Sequence, residues 1–129
     1  MALFKRRPKP VQLESLDHLD DLTRSGKPVL VDFFQFGCSP CQVMDGIVNE
    51  LAEEFDGRAV VVKANVAKVP DVAAKFKVRS TPTFVILGIS ERAKANGREV
   101  VTLRWRASGL VKKDVLAGQL LRTGADASG

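Results

Sequence analysis

The stretch Val29-Leu30-Val31-Asp32-Phe33-Phe34-Gln35-Phe36-Gly37-Cys38-Ser39-Pro40-Cys41 decides how the chain is read. A run of large apolar residues breaks at Gly37 and delivers two cysteines, separated by two residues, to the start of a helix. Apolar side chains at successive positions imply a strand buried on both faces, the central strand of a sheet covered by helices. The chain has no other cysteine. With a strand before it and a helix after it, a single Cys-x-x-Cys reads as a dithiol that cycles with a disulfide.

Working outward, Val43, Met44, Ile47, Val48, Leu51 and Phe55 recur at helical spacing, and Gly57 closes that helix. Gly46 lies inside it, where glycine costs about 1 kcal/mol against alanine and marks a bend or a close backbone approach. Ala59 to Ala64 is a second buried strand, completing a right-handed βαβ crossover. Asn65 to Pro70 reads as a loop, Asp71 to Phe76 as a short helix, and the strand ending at Leu87 begins just after Pro82, a position that tolerates proline. On spacing alone the Thr81-Pro82 bond reads as trans, since only about 5–6% of such bonds in folded proteins are cis. Ile89 to Gly97 reads as a polar hairpin loop around Asn96-Gly97, with Glu99 to Trp105 as the antiparallel partner strand. A last helix, Leu110 to Leu121, presents Val111, Val115, Leu116 and Leu120 on its apolar face. Upstream, Val11 to Leu13 is a short edge strand, and Ser15 caps a helix with Leu16, Leu19 and Leu22 on one face, ended by Gly26.

The order is βαβαβ followed by ββα, which implies an α/β fold with helices on both faces of one mixed sheet of four to five strands. Residues 1–10 and 123–129 read as flexible tails, the first basic and proline-rich, around a folded domain at 11–122.

At 129 residues and 45% apolar composition the chain forms one domain with one core. Its net charge of +5 collects in the first ten residues and around Arg98, Arg104, Arg106, Lys112 and Lys113, without the interleaved aromatics of a nucleic-acid surface. The apolar runs are strand-sized, which argues against a membrane span. The N-terminus has charge without a following apolar segment, so the expected location is the cytoplasm. Two cysteines and one distant His18 do not make a tetrahedral zinc site, and His18 reads as a surface residue. There is no glycine-rich nucleotide fingerprint, so no bound cofactor is expected and electrons must come from another protein.

From Val11 to Leu121 the chain resembles the thioredoxin family. Three stretches carry the resemblance: Val31-Asp32-Phe33-Phe34 leading into Cys38-Ser39-Pro40-Cys41, Lys63 at the end of the next strand, and Ser80-Thr81-Pro82-Thr83 before an apolar strand. The resemblance implies a monomeric thiol:disulfide oxidoreductase that reduces protein disulfides and is re-reduced by a thioredoxin-reductase-like donor. It makes Cys38 the exposed attacking thiol, activated at a helix N-terminus, and Cys41 the resolving thiol one turn on. Pro40 suits the first turn, which has no use for its missing N–H, and Ser39 lies beside the thiolate.

Asp32 is implied to sit behind Cys41 and take its proton, with Lys63 as the partner of its carboxylate; burial there raises its pKa. The residues alone equally allow Asp32 to face solvent at a strand end. Pro82 is implied to be cis and to pack over the disulfide, leaving the Thr81 backbone to pair with an extended substrate.

The chain departs from the family where tryptophan usually precedes the first cysteine and occupies position 34; here these are Gly37 and Phe34, and Ser39 replaces a glycine. Gly37 is expected to open and flatten the rim around Cys38. Gly46 replaces a proline. The glycine that follows the last strand falls at Arg106 or its neighbour, which puts positive charge beside the substrate groove. Two other readings share these residues: a thiol oxidant or disulfide isomerase of an exported pathway, and a non-catalytic binding module built on the same fold.

Overall fold

A computed structural model of the chain describes residues 7–90, 96, 97 and 100–125. The elements in chain order are β1 (Val11–Gln12), α1 (Leu16–Thr23), β2 (Val29–Phe34), α2 (Ser39–Glu54), β3 (Val60–Asn65), α3 (Pro70–Lys75), β4 (Thr83–Ile89), β5 (Val101–Ser108) and α4 (Lys113–Arg122). Among the described residues five strands form one mixed sheet in the order β1-β3-β2-β4-β5, so β2 is central as its apolar run requires. β1 and β2 run parallel to β3, while β4 is antiparallel to both β2 and β5.

Alternation along β2 divides the core in two. Leu30 joins Met44, Val48 and Leu51 of α2, Leu116 and Leu120 of α4, and Phe84 and Ile86 of β4. Val29, Val31 and Phe33 point the other way, to Leu19 of α1 and Val72 and Ala73 of α3. Each such fully buried side chain contributes about 1.5–3 kcal/mol, so the layers hold the sheet from both sides.

Most element boundaries shift by one or two residues from the sequence expectation, and three of the shifts have a clear local cause. α3 begins at Pro70, whose fixed φ and missing donor suit a first turn. β5 extends to Ser108, because Ala107 pairs with Phe84 and Ser108 with Thr83 although neither adds an apolar signal. α4 begins at Lys113, after an extended Lys112, so its buried face is Leu116 and Leu120 and Val115 points outward at 43% exposure.

Ala125 is buried against the α2/α4 layer, so the chain stays packed past residue 122. Residues 1–6, 91–95, 98, 99 and 126–129, including most of the expected hairpin loop, the start of its partner strand at Glu99 and the outer parts of both expected tails, lie outside the described residues.

Candidate functional site

β2 ends at Phe34, and the chain turns through Gly37, whose φ of +77° is the left-handed region where a Cβ is strained. Cys38 then caps α2, and Cys38 and Cys41 are joined in a disulfide with their Cα atoms 5.2 Å apart. The Cys41 N–H donates to Cys38 Sγ at 3.2 Å. That N–H belongs to the unpaired first turn, so the same contact would stabilise negative charge on Cys38 once the disulfide opens. Pro40 occupies that turn, and Ser39 and Pro40 are exposed beside the sulfurs. Cys38 is less open than expected, at 8% exposure against 4% for Cys41, yet it is the more accessible of the two.

The second stretch closes over the first. The Thr81–Pro82 bond is cis, and the Thr81 carbonyl oxygen lies 3.5 Å from Cys38 Sγ. The Thr83 hydroxyl donates to the Ser80 carbonyl at 2.7 Å; with its one proton used there, it accepts from the Ser108 hydroxyl at 2.8 Å. The Gly109 N–H donates to the Pro82 carbonyl at 2.8 Å. Gly109, rather than Arg106, therefore follows the last strand beside Pro82. Arg106 is placed elsewhere: its guanidinium donates to the carbonyls of Phe76 and Lys77, closing the end of α3. The expectation of Arg106 beside the groove came from the family's glycine position after the last strand, which Gly109 occupies because β5 runs two residues past Arg106.

Asp32 does not face solvent. It is 1% exposed and, by alternation with Val31 and Phe33, points to the α2 side of the sheet. Neither carboxyl oxygen has a hydrogen-bond partner among the described residues. Burial pushes its pKa from the usual 3.8 up to about 7; the nearby Lys63 charge opposes that rise and Asp45 adds to it.

Lys63 is the strand neighbour of Asp32 in the β2–β3 register, as the family pattern suggests. Its ammonium, however, bonds Asp45 Oδ1 of α2 at 2.8 Å and lies 4.4 Å from the centre of the Phe34 ring. The Lys63 partner is thus a carboxylate the sequence reading did not single out. Asp45 follows Cys41 by four residues, a spacing that places both on one helix face, and this was the available signal.

Phe36 was also missed. It is 82% exposed and meets Phe34 edge-on, with ring centres 6.3 Å apart. The rim that Gly37 vacates is therefore apolar on its near side, and an aromatic placed just before a Gly-Cys turn was its signal. Phe34, Phe36, Lys63, Asn65 and Lys68 are among the residues that line a groove of about 570 Å³.

Among the described residues no three His, Cys, Asp or Glu side chains gather as a metal ion would need. No helix of the described residues is long and apolar enough to cross a membrane.

A family model described as Thioredoxin matches residues 9–103. Thioredoxin 1 of Chlorobaculum tepidum is 35% identical over 105 residues, covering 81% of this chain and 93% of that protein. The chloroplastic thioredoxin Y1 of Arabidopsis thaliana is 40% identical over 74 residues, covering 57% of this chain and 43% of its own length. Among solved structures, a single-site mutant of a thioredoxin from Halobacterium salinarum superposes with a TM-score of 0.73 at 27% identity, over 96% of this chain and 98% of that one.

Proposed function

The chain belongs to the thioredoxin family, a family of thiol:disulfide oxidoreductases, and on that premise we propose that it is a protein disulfide reductase in which Cys38 attacks and Cys41 resolves. The observation that carries this reading is the Cys38–Cys41 disulfide at the N-terminus of α2, with the Cys41 N–H on Cys38 Sγ and the Thr81 carbonyl beside it.

In the reduced protein the Cys38 thiolate attacks one sulfur of a substrate disulfide. A mixed disulfide forms through Cys38, and the other substrate sulfur leaves as a thiolate that takes up a proton. Asp32 accepts the proton of Cys41, whose thiolate attacks Cys38 Sγ and releases the second substrate thiol. Two electrons have then passed to the substrate, and the Cys38–Cys41 disulfide is re-reduced by a thioredoxin-reductase-like donor. Thr81 and cis-Pro82 offer backbone to an extended substrate segment, and Gly37, Ser39, Pro40 and the exposed Phe36 form the surface it crosses.

We place the folded domain at residues 11–122, with Ala125 packed against it just past that end, and expect a monomer in the cytoplasm, a compartment reducing enough to keep such a dithiol reduced. Several plant relatives are named as chloroplastic, so subcellular fractionation is the direct check of that placement. The function is tested by insulin reduction with a regenerating reductase. Turnover that Cys38→Ser abolishes is expected. Net oxidation of dithiols by the same protein would favour the oxidant reading, and no exchange in either direction would favour the binding module.

A further inference from the structure

Lys63 stands between two carboxylates. Its backbone is in register with Asp32, yet its ammonium is bound to Asp45, and the Asp32 oxygens are left without a hydrogen-bond partner among the described residues. The Lys63 side chain is 14% exposed and that of Asp45 44%, so the ion pair lies at the seam between the groove and the buried acid. An ammonium that donates to Asp45 at 2.8 Å and covers the Phe34 ring is turned towards α2 rather than along β2.

We propose that Asp45 is a positioning residue for the exchange reaction: its ion pair holds the Lys63 ammonium off the Asp32 carboxyl, so that α2 sets how readily that carboxyl gains and loses its proton. This rests on the reading of Asp32 as the proton acceptor for Cys41. The groups facing Asp32 are few. Among the described residues Lys63 acts on it from β3 and Asp45 from α2, the helix in which Cys41 is also buried. From β4 comes Phe84, whose β5 partner is Ala107, and neither titrates. From α4 the packed residues are Leu116 and Leu120, while Lys113 is tied to Glu50 and Glu54 farther along α2.

Neutralising Asp45 should act twice in the same direction. It removes a negative charge that holds the Asp32 proton, and it frees Lys63 to approach the carboxylate, so ionisation of Asp32 becomes easier on both counts. The expected movement of the Asp32 titration is about one pH unit downward, the low end of what a newly adjacent cation does to a carboxylate.

The test is a carbon-13 NMR titration of the Asp32 carboxyl in the oxidised full chain, for wild type, Asp45→Asn, Asp45→Glu, Lys63→Met and the Asp45→Asn/Lys63→Met pair. Asp45→Asn should titrate lower than wild type, Lys63→Met higher, and Asp45→Glu close to wild type. In the Lys63→Met background the effect of Asp45→Asn should shrink to less than half. An unmoved titration in Asp45→Asn would overturn the proposal. So would an equal movement with and without Lys63, because Asp45 would then act only through its own charge. The role of Asp32 is read separately, from the rate of Cys41 attack in Asp32→Asn. If that rate is unchanged while the titrations move as expected, the proton-acceptor reading fails and the placement of Lys63 by Asp45 stands.

Discussion

On β2, Val31 and Phe33 enter the layer under α1 and α3, whereas Leu30 enters the layer under α2 and α4 and Asp32 points the same way. The two layers are equally dry, since Val31 is 0% and Asp32 1% exposed. They differ in what lies nearby. Val31 is packed among Val29, Phe33, Val72 and Val85, whereas on the α2 side the charges of Lys63 and Asp45 act on Asp32. A buried acid is tolerated where a counter-charge is close, and its unmet cost appears as a proton held to near neutrality. Stability and chemistry are therefore assigned to opposite faces of the same strand.

The sharpest way to break this contrast is to move the acid across it. Val31→Asp places a carboxylate among Val29, Phe33, Val72 and Val85, and a loss of at least about 4 kcal/mol is expected, a large share of the about 5–15 kcal/mol by which a domain is stable. Circular dichroism and urea titration at pH 8 would read it; a folded Val31→Asp protein with wild-type stability would mean the two layers are not different in kind.

Removing the acid in place should do the reverse. Asp32 titrates at about 7 in the folded chain against 3.8 ordinarily, so between about pH 4 and 7 the folded state holds a proton that the unfolded state has released. Its contribution to stability is thus most favourable below about pH 4, falls as pH rises to about 7 and is level above that. Asp32→Asn should gain about 2–4 kcal/mol in urea unfolding at pH 8 and almost nothing at pH 3.5, while slowing the attack of Cys41. Equal gains at both pH values would mean that the carboxyl is not a costly buried charge.

Two glycines sharpen the picture within the reactive layer. Gly37 meets no atom within 4 Å of an added Cβ, but its φ of +77° strains any side chain, so Gly37→Ala should cost about 1–2 kcal/mol and test whether the turn into Cys38 is held that tightly. Gly46 has neither positive φ nor a neighbour within 4 Å among the described residues, and α2 continues through it. The close approach read from the sequence is absent among the described residues, and Gly46→Ala should gain about 0.5–1 kcal/mol in thermal unfolding.

The central strand, the crossover to β3, the helix that starts at the cysteines and the strand after Pro82 were legible because each is marked by local chemistry: an unbroken apolar run, a 3.6-residue period, a turn glycine, a proline. The end of β5 was not, because Arg106 and Ser108 continue the ladder by backbone pairing without adding apolar character, which shifted the expected glycine from 109 to 106. Val115 was misassigned because a helix starting at Lys113 turns that residue outward. The partner of Lys63 was hidden because a sequence pattern states which strands are neighbours but not where a long, flexible side chain is drawn by a helix crossing above it.

The direct test of the proposed roles of the two cysteines is to trap the exchange midway. With Cys41→Ser, incubation with disulfide-containing protein should accumulate a mixed disulfide that peptide mass spectrometry maps to Cys38, and Cys38→Ser should accumulate little under the same conditions. Adducts forming equally well through Cys41 in Cys38→Ser, or no adducts in either variant, would contradict the assignment of Cys38 as the sulfur that attacks.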